Sequence, residues 1–151
     1  MTDKTCPILH LQTQAEEKGI SLSVQEADPP MTVHADSDRT AQLLTNLIGN
    51  AIRYTPTGGT IRVQLQPVGN MAQVQVIDSG VGISADDLPY IFERFYRADH
   101  SRSRQSGGSG IGLTIARHLA WGMGGNVLAE SDGLDQGSTF TLQLPVAESV
   151  E

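Results

Sequence analysis

The stretch NLIGNAIRYTP, residues 46–56, has the apolar spacing of a buried helix but carries residues that such helices avoid. Asn46 and Asn50 lie one helical turn apart, and asparagine is a poor helix former because its amide competes for backbone groups. Gly49, between them, weakens the same helix by about 1 kcal/mol relative to alanine. The question is why a core helix would carry two amides and a glycine in its middle.

On an ideal helix with about 100° per residue, residues 39–54 separate into two faces. Asn46, Asn50 and Arg53 share an arc of about 60°, and Tyr54 lies at its edge. A separate arc of about 180° is apolar and is predicted to face the core. The members of this apolar arc are Leu43, Leu44, Leu47, Ile48, Ala51 and Ile52.

The polar stripe formed by Asn46, Asn50, Arg53 and Tyr54 has two interpretations. It is either an ordinary solvated face or a binding surface, and solvated faces usually prefer Glu, Lys and Gln, which favour the helix. An amide oxygen is a hard, neutral ligand that suits Mg²⁺, an ion that takes few protein ligands and shares phosphate oxygens. On the second interpretation, Arg53 would contact phosphates and Tyr54 would cover an apolar ring.

The motif VIDSGVG, residues 76–82, ends a predicted strand with a carboxylate. Asp78 is in phase with Val74 and Val76, so its side chain is predicted to point to the buried face, where it needs hydrogen-bond donors. An Asp before Gly is otherwise typical of a turn. Gly80 and Gly82 permit a positive φ and the close approach of a ligand to the backbone.

A second glycine cluster, GGSGIGLTIA at residues 107–116, opens a predicted helix. Glycine-rich turns at helix N-termini bind phosphate through free N–H groups and the helix dipole. The cluster lacks the Gly-Lys-Ser/Thr of a P-loop, and the spacing of Gly108, Gly110 and Gly112 is not that of a dinucleotide fold. Before it, residues 94–110 carry four Arg and one Asp, a net charge of +3, and are predicted to form a mobile basic loop.

Composition limits the possible classes of protein. The chain has 151 residues, which suits one domain, and its net charge of −7 argues against general binding to nucleic acids. It contains no apolar run of the roughly 20 residues that cross a bilayer, and residues 1–11 do not have the apolar stretch typical of a signal peptide. Cys6 is the sole cysteine, so the sequence predicts neither a disulfide framework nor a cysteine metal site.

Hydrophobic periodicity predicts an α+β fold, a two-layer sandwich with about three helices on one face of a mixed, mostly antiparallel sheet. Residues 28–36 are predicted to form a turn and a short strand. The predicted helices cover residues 7–19, 36–54, 84–95 and 111–123, and the predicted strands cover 20–25, 60–68, 72–78, 126–131 and 138–145. In the last helix, the predicted core arc contains Ile111, Ile115, Ala116, Leu119, Ala120 and Met123.

Four motifs, in this order, resemble the N, G1, F and G2 boxes of the ATP-binding catalytic domain of two-component sensor histidine kinases. They are NLIGNAIRYTP, DSGVGI, IFERFYRAD and GGSGIGLTIAR. That domain has the Bergerat fold, shared with gyrase-type, chaperone and mismatch-repair ATPases. The resemblance covers about residues 8–146, and GSTFTLQLP also looks like the last strand of the family. It implies that the chain is one catalytic domain of a longer protein, without the dimerisation hairpin.

The resemblance implies a Mg²⁺–ATP site. Asn50 would ligate Mg²⁺ with Asn46 supporting it, Arg53 would contact phosphate, and Tyr54 would pack near adenine. Asp78 would accept a hydrogen bond from the exocyclic amine of adenine. Arg97, at the start of a lid, would reach the γ-phosphate and act with the two asparagines in catalysis. Further ATP-binding residues implied by the resemblance are Gly80, Gly82, Ile83, Tyr96, Gly108, Ser109, Gly110, Gly112, Leu113 and Thr139.

The resemblance also separates the possible activities. Hydrolytic relatives usually carry a Glu where this chain has Asn46, and an amide cannot take a proton from water at neutral pH. This favours transfer to an outside histidine over an ATPase or an anti-sigma serine kinase, and the four intact motifs argue against a non-catalytic regulatory module. None of the four histidines precedes an acidic residue, as the family's acceptor does. The implied partners are a histidine-bearing dimerisation domain of the same parent protein and a downstream response regulator. This domain is expected in the cytoplasm without nucleic acid or membrane contact, and the parent protein is either cytoplasmic or a membrane-bound sensor.

Trp121 lies outside the core arc of its predicted helix, on the side of Thr114 and Arg117. It either stacks on Arg117 one turn earlier or docks a partner domain.

Overall fold

One mixed sheet and three helices make up the part of the chain that the structure, a computed structural model, describes: residues 5–25, 37–93 and 112–145. The strands are β1 (Ser21–Gln25), β2 (Thr60–Val68), β3 (Met71–Asp78), β4 (Asn126–Glu130) and β5 (Ser138–Pro145). The helices are α1 (Thr5–Lys18), α2 (Ser37–Tyr54) and α3 (Gly112–Gly122). The predicted short strand in residues 28–36 and the predicted loop at 94–110 lie outside the described ranges.

The strands lie in the order β1-β2-β3-β5-β4. β1 pairs with β2 in parallel, and every other pair is antiparallel. β2 and β3 form a hairpin around the Gly69–Asn70 turn, with Ile61 opposite Asp78. The predicted two-layer α+β sandwich with a mostly antiparallel sheet is confirmed.

The core lies between the helices and one face of the sheet. The predicted apolar arc of α2 is confirmed, because all its members are buried except Leu44, which is partly buried. Across from it, Val76, Phe140 and Leu142 are buried on the facing side of β3 and β5. This burial fixes which way α2 is rotated, and it leaves the stripe of Asn46 and Asn50 outside the core.

The helix predicted at residues 84–95 is wrong within the described residues, where only a 3₁₀ turn forms, at Leu88–Tyr90. Pro89 has no N–H to donate into a helical ladder, which removes one hydrogen bond of a continuing α-helix. The chain instead turns around Ser84, whose carbonyl accepts from the amides of Asp87 and Leu88. Its hydroxyl oxygen accepts from the Asp87 amide at 3.2 Å.

Ile115 was predicted to lie in the core, and this is wrong, because its side chain is 36% exposed. α3 packs through Ala116 and Ala120, both fully buried. Ile115 lies about 100° from Ala116 around an ideal helix, on the side away from Ala120. Leu119 and Met123, also predicted to lie in the core, are partly buried against it, and Ile111 lies outside the described residues.

The C-terminal end of α2 is tied to α1. Lys18 Nζ donates to the carbonyl oxygens of Ile52 at 2.7 Å and Arg53 at 3.0 Å, which are among the last carbonyls of a helix that need donors from outside it. Burial, and then the charge of Arg53, lower the pKa of Lys18. The contact fixes the end of α2 from which Arg53 and Tyr54 project.

Among the residues that the structure describes, nothing outside its own helix lies within 4 Å of the position that a Cβ on Gly49 would take. Packing within these residues therefore does not require a glycine there. We expect Gly49→Ala to stabilise the fold by about 1 kcal/mol, since alanine is the better helix former, and to raise the Tm by roughly 2–4 °C. Thermal unfolding monitored by circular dichroism measures this change. A lower Tm would show that the position has a steric neighbour.

In the described part of the chain, no helix combines the length and apolar character that a bilayer span requires.

Candidate functional site

The polar stripe of α2 is presented at the surface between α3 and the turn that follows β3. Asn46 and Asn50 are partly buried, whereas Arg53 and Tyr54 are exposed. Asn46 Nδ2 donates to the carbonyl oxygen of Gly112 at 3.3 Å, which ties α2 to the first residue of α3. Because the amide nitrogen serves as the donor, the oxygen is the atom of Asn46 that suits a cation.

Asp78 is a buried carboxylate with an exposed fraction of 7%. Its Oδ1 accepts from the backbone N–H of Gly80 at 2.9 Å and of Ser138 at 3.2 Å, and its Oδ2 accepts from Ser138 Oγ at 2.9 Å. Burial raises the pKa of Asp78, and these three hydrogen bonds oppose that rise. The prediction from strand phase is confirmed: the side chain points inward and has the donors that a buried carboxylate needs.

Gly80 and Gly82 allow the turn after Asp78 to pack closely against other backbone segments. A Cβ on Gly80 would overlap the carbonyl oxygen of Tyr54. Gly82 has a φ of +74°, and a Cβ there would overlap the carbonyl oxygen of Gly133. The requirement for glycine at these two positions thus comes from the chain itself, while their contact with a base stays a prediction.

The turn after β3 connects the strand that carries Asp78 to the end of the polar stripe of α2. The backbone N–H of Val81 donates to the carbonyl oxygen of Tyr54 at 3.1 Å, at the end of α2. This hydrogen bond places the turn that follows Asp78 against the end of α2, where Arg53 and Tyr54 lie. The backbone thus brings two of the motifs that the sequence singled out together, while contact between their side chains stays a prediction.

Thr139 and Ser138 occupy different faces of β5. Thr139 pairs with Ile77, whereas Ser138 pairs with Asp78 and hydrogen bonds to it. Thr139 therefore lies on the face opposite to Asp78, and its role in binding ATP stays a prediction. Ser138 was missed, because residues that pair across a sheet share a face but the pairing of β3 with β5 is not visible in the phase of either strand.

The two chain segments on either side of residues 94–111 are held together. Thr114 Oγ1 donates to the carbonyl oxygen of Phe92 at 2.7 Å. The guanidinium carbon of Arg117 lies 4.4 Å from the centroid of the Phe92 ring. Phe92 in turn meets Phe140 edge to face, with ring centroids 6.4 Å apart, so this connection reaches the core.

Trp121 stacks on Arg117, as the first interpretation predicts, with 5.2 Å from the guanidinium carbon to the ring centroid. Its indole N–H donates to Asn126 Oδ1 at 2.8 Å, and its side chain is 51% exposed. These contacts account for the orientation of Trp121 without a partner domain.

The remaining predicted site residues divide into two groups. Ile83, Gly112 and Leu113 lie in described ranges, with Ile83 and Leu113 partly buried against the core cluster. The others lie outside the described residues, and their roles stay predictions; they are Tyr96, Arg97, Gly108, Ser109 and Gly110.

Comparison with known proteins identifies the class that this fold and site define. Residues 35–148 match the family of histidine kinase-, DNA gyrase B- and HSP90-like ATPases. Because the match spans well over half of the 151 residues, the chain belongs to this family.

Individual relatives are more specific. The sensor histidine kinase RppB of Synechocystis sp. is 38% identical over 146 residues, which cover 97% of this chain and 31% of RppB. The catalytic domain of histidine kinase ThkA has a TM-score of 0.75 at 27% identity, covering 92% of this chain and 91% of that chain. Full-length ShkA in complex with AMPPNP has a TM-score of 0.80 at 28% identity, and the match covers 99% of this chain and 31% of the ShkA chain. The chain spans about a third of the length of RppB.

Proposed function

We propose that this chain binds Mg²⁺–ATP and donates the γ-phosphate to a histidine on a separate dimerisation domain. The observation that carries the proposal is Asp78, a buried carboxylate held by three hydrogen bonds, which the turn after β3 links to the end of α2. Membership of the ATPase family supports nucleotide binding, and the 28% identical protein ShkA has been solved with AMPPNP. The named relatives support a role in two-component signalling.

Asp78 accounts for a preference among nucleobases. A carboxylate accepts hydrogen bonds, and adenine offers it an exocyclic amine, whereas guanine offers a carbonyl oxygen at the corresponding position. Leaving buried polar groups unpaired costs about 1–3 kcal/mol, equivalent to about 5- to 150-fold in affinity. The chain should therefore bind ATP more tightly than GTP.

The donor set of the α2 stripe fits a magnesium ion bound together with phosphates. Asn50 and Asn46 offer neutral amide oxygens, and Mg²⁺ usually takes one or two protein oxygens with substrate phosphates and water. When bound, the ion neutralises negative charge on the phosphates. Arg53, exposed in the last turn of the same helix, would add a positive charge next to them.

The same residues favour transfer over hydrolysis. Asn46 occupies the position of a catalytic base in hydrolytic relatives and cannot activate water. Of the described histidines, His10 contacts Gln14 and His118 contacts Trp121, and neither precedes an acidic residue. The phosphate acceptor is therefore supplied by a dimerisation domain of the parent protein, which passes the phosphate to a response regulator. We place the catalytic domain formed by this chain in the cytoplasm.

A reconstitution experiment tests this function. The chain is mixed with γ-labelled ATP, Mg²⁺ and a separately produced dimerisation hairpin that carries the acceptor histidine of the same parent protein. We expect labelled hairpin, no labelled chain in the absence of the hairpin, and slow release of inorganic phosphate. Rapid hydrolysis by the chain alone would contradict the proposal and favour the ATPase relatives.

A further inference from the structure

Ser131, directly after β4, joins three backbone segments through one hydroxyl group. Its Oγ accepts from the backbone N–H of Ile83 at 3.0 Å and of Gly133 at 3.2 Å. The same hydroxyl donates to the carbonyl oxygen of Gly137 at 2.7 Å. The side chain is partly buried, so water replaces these bonds incompletely if the hydroxyl is removed.

Two of these segments determine where Asp78 and its glycine turn lie. Ile83 ends the turn, and Gly137 directly precedes Ser138, the residue that gives Asp78 two of its three hydrogen bonds. The backbone N–H of Gly137 also donates to the carbonyl oxygen of Gly80 at 3.2 Å, and that of Asp135 donates to Val81 at 2.7 Å. The turn and residues 131–137 therefore form one hydrogen-bonded unit, with Ser131 bonded to both parts.

We infer that Ser131 is a positioning residue for nucleotide binding, acting through the backbone of Ile83 and Gly137 and not by contact with the ligand. This inference rests on the proposed nucleotide site at Asp78. Without the hydroxyl, the N–H of Ile83 and the carbonyl of Gly137 lose a shared partner, and the turn leaves its binding arrangement in a larger fraction of molecules. Apparent affinity falls in proportion to the fraction that stays competent.

The expected result for Ser131→Ala is a dissociation constant for ATP raised about tenfold, the size expected when a buried polar group loses its partner. Because Asp78 keeps its own hydrogen bonds, the loss applies equally to ATP and GTP, and the ATP/GTP ratio stays that of the wild type. In the reconstituted transfer reaction, KM for ATP rises while kcat is unchanged, since Ser131 touches no reacting group.

Two variants make the comparison specific. Ser131→Thr keeps the hydroxyl and should bind ATP within about twofold of the wild type, a difference of about 0.4 kcal/mol. Ser84→Ala removes a serine of similar burial whose hydroxyl donates to Asp87 Oδ2 at 2.9 Å and lies outside the unit around Ser131. It should bind ATP as the wild type does. Circular dichroism and a thermal melt of each variant establish that it is folded.

Calorimetric titration of the full chain with ATP and with GTP, each with Mg²⁺, distinguishes the outcomes. Wild-type binding with a tenfold loss in Ser131→Ala alone supports the inference. Equal affinity of Ser131→Ala and the wild type would overturn it, as would equal losses in Ser131→Ala and Ser84→Ala, or a loss in Ser131→Thr. No binding by the wild type would refute the proposed nucleotide site itself.

Discussion

Asp78→Asn should weaken ATP binding by about 10- to 100-fold and remove most of the preference over GTP. The reason is local: the carboxylate is the acceptor that an exocyclic amine would need, whereas an amide can turn its NH₂ group toward the base. The fold should tolerate the change. The amide oxygen can still accept from the N–H groups of Gly80 and Ser138, and the NH₂ can donate to Ser138 Oγ.

The same substitution has a predictable effect on stability. Because burial raises the pKa of Asp78 in the folded state, the folded protein binds the proton more tightly than the unfolded chain. The stability linked to this proton is fully present below the unfolded pKa of 3.8 and is lost as the pH rises through the folded value. Asp78→Asn does not titrate, so its stability relative to the wild type should improve as the pH rises through that window.

Calorimetry with ATP and GTP, together with urea unfolding at several pH values, measures both effects. Asp86→Asn is a matched control, because Asp86 is an exposed acid outside the turn after β3 and outside residues 131–137. The control should bind ATP as the wild type does. If Asp78→Asn has the affinity for ATP and the ATP/GTP ratio of the wild type, Asp78 does not recognise the base.

Strong periodicity made most of the fold predictable from the sequence. α2 has an apolar face wide enough to fix its rotation, and β2 and β3 alternate on both sides of a Gly-Asn turn. The predictions failed where the periodic signal was interrupted or weak. Pro89 interrupts the segment after Ser84, and in α3 the buried residues Ala116 and Ala120 define a narrower face than its apolar residues suggest.

The site was predictable residue by residue only where a local pattern marks it. Strand phase was enough to orient Asp78, and helical phase was enough to group Asn46 with Asn50. Ser131 and Ser138 act through hydrogen bonds to residues 48 and 60 positions away in the chain, and no spacing rule links such pairs. Their identification required the pairing of β3 with β5, which brings the two turns to the same end of the sheet.

Asn50→Ala should reduce phosphate transfer to the dimerisation hairpin by about 100-fold or more, because it removes the amide oxygen proposed to hold the metal ion on the phosphates. Loss of folding cannot cause this result. Asn50 lies in the interior of α2, outside the buried core, and alanine is a better helix former than asparagine. The variant should therefore be at least as stable as the wild type.

Two further variants complete this test of the metal site. Asn70→Ala makes the same chemical change in the exposed hairpin turn between β2 and β3 and should transfer phosphate normally. Asn50→Asp keeps an oxygen donor and adds a charge, so it should retain more transfer than Asn50→Ala, with an altered Mg²⁺ dependence. Transfer is measured at several Mg²⁺ concentrations with saturating hairpin. Loss of a metal ligand must change how the rate of transfer depends on Mg²⁺. If Asn50→Ala transfers phosphate as fast as Asn70→Ala at every Mg²⁺ concentration, the assignment of the α2 stripe to the metal is wrong.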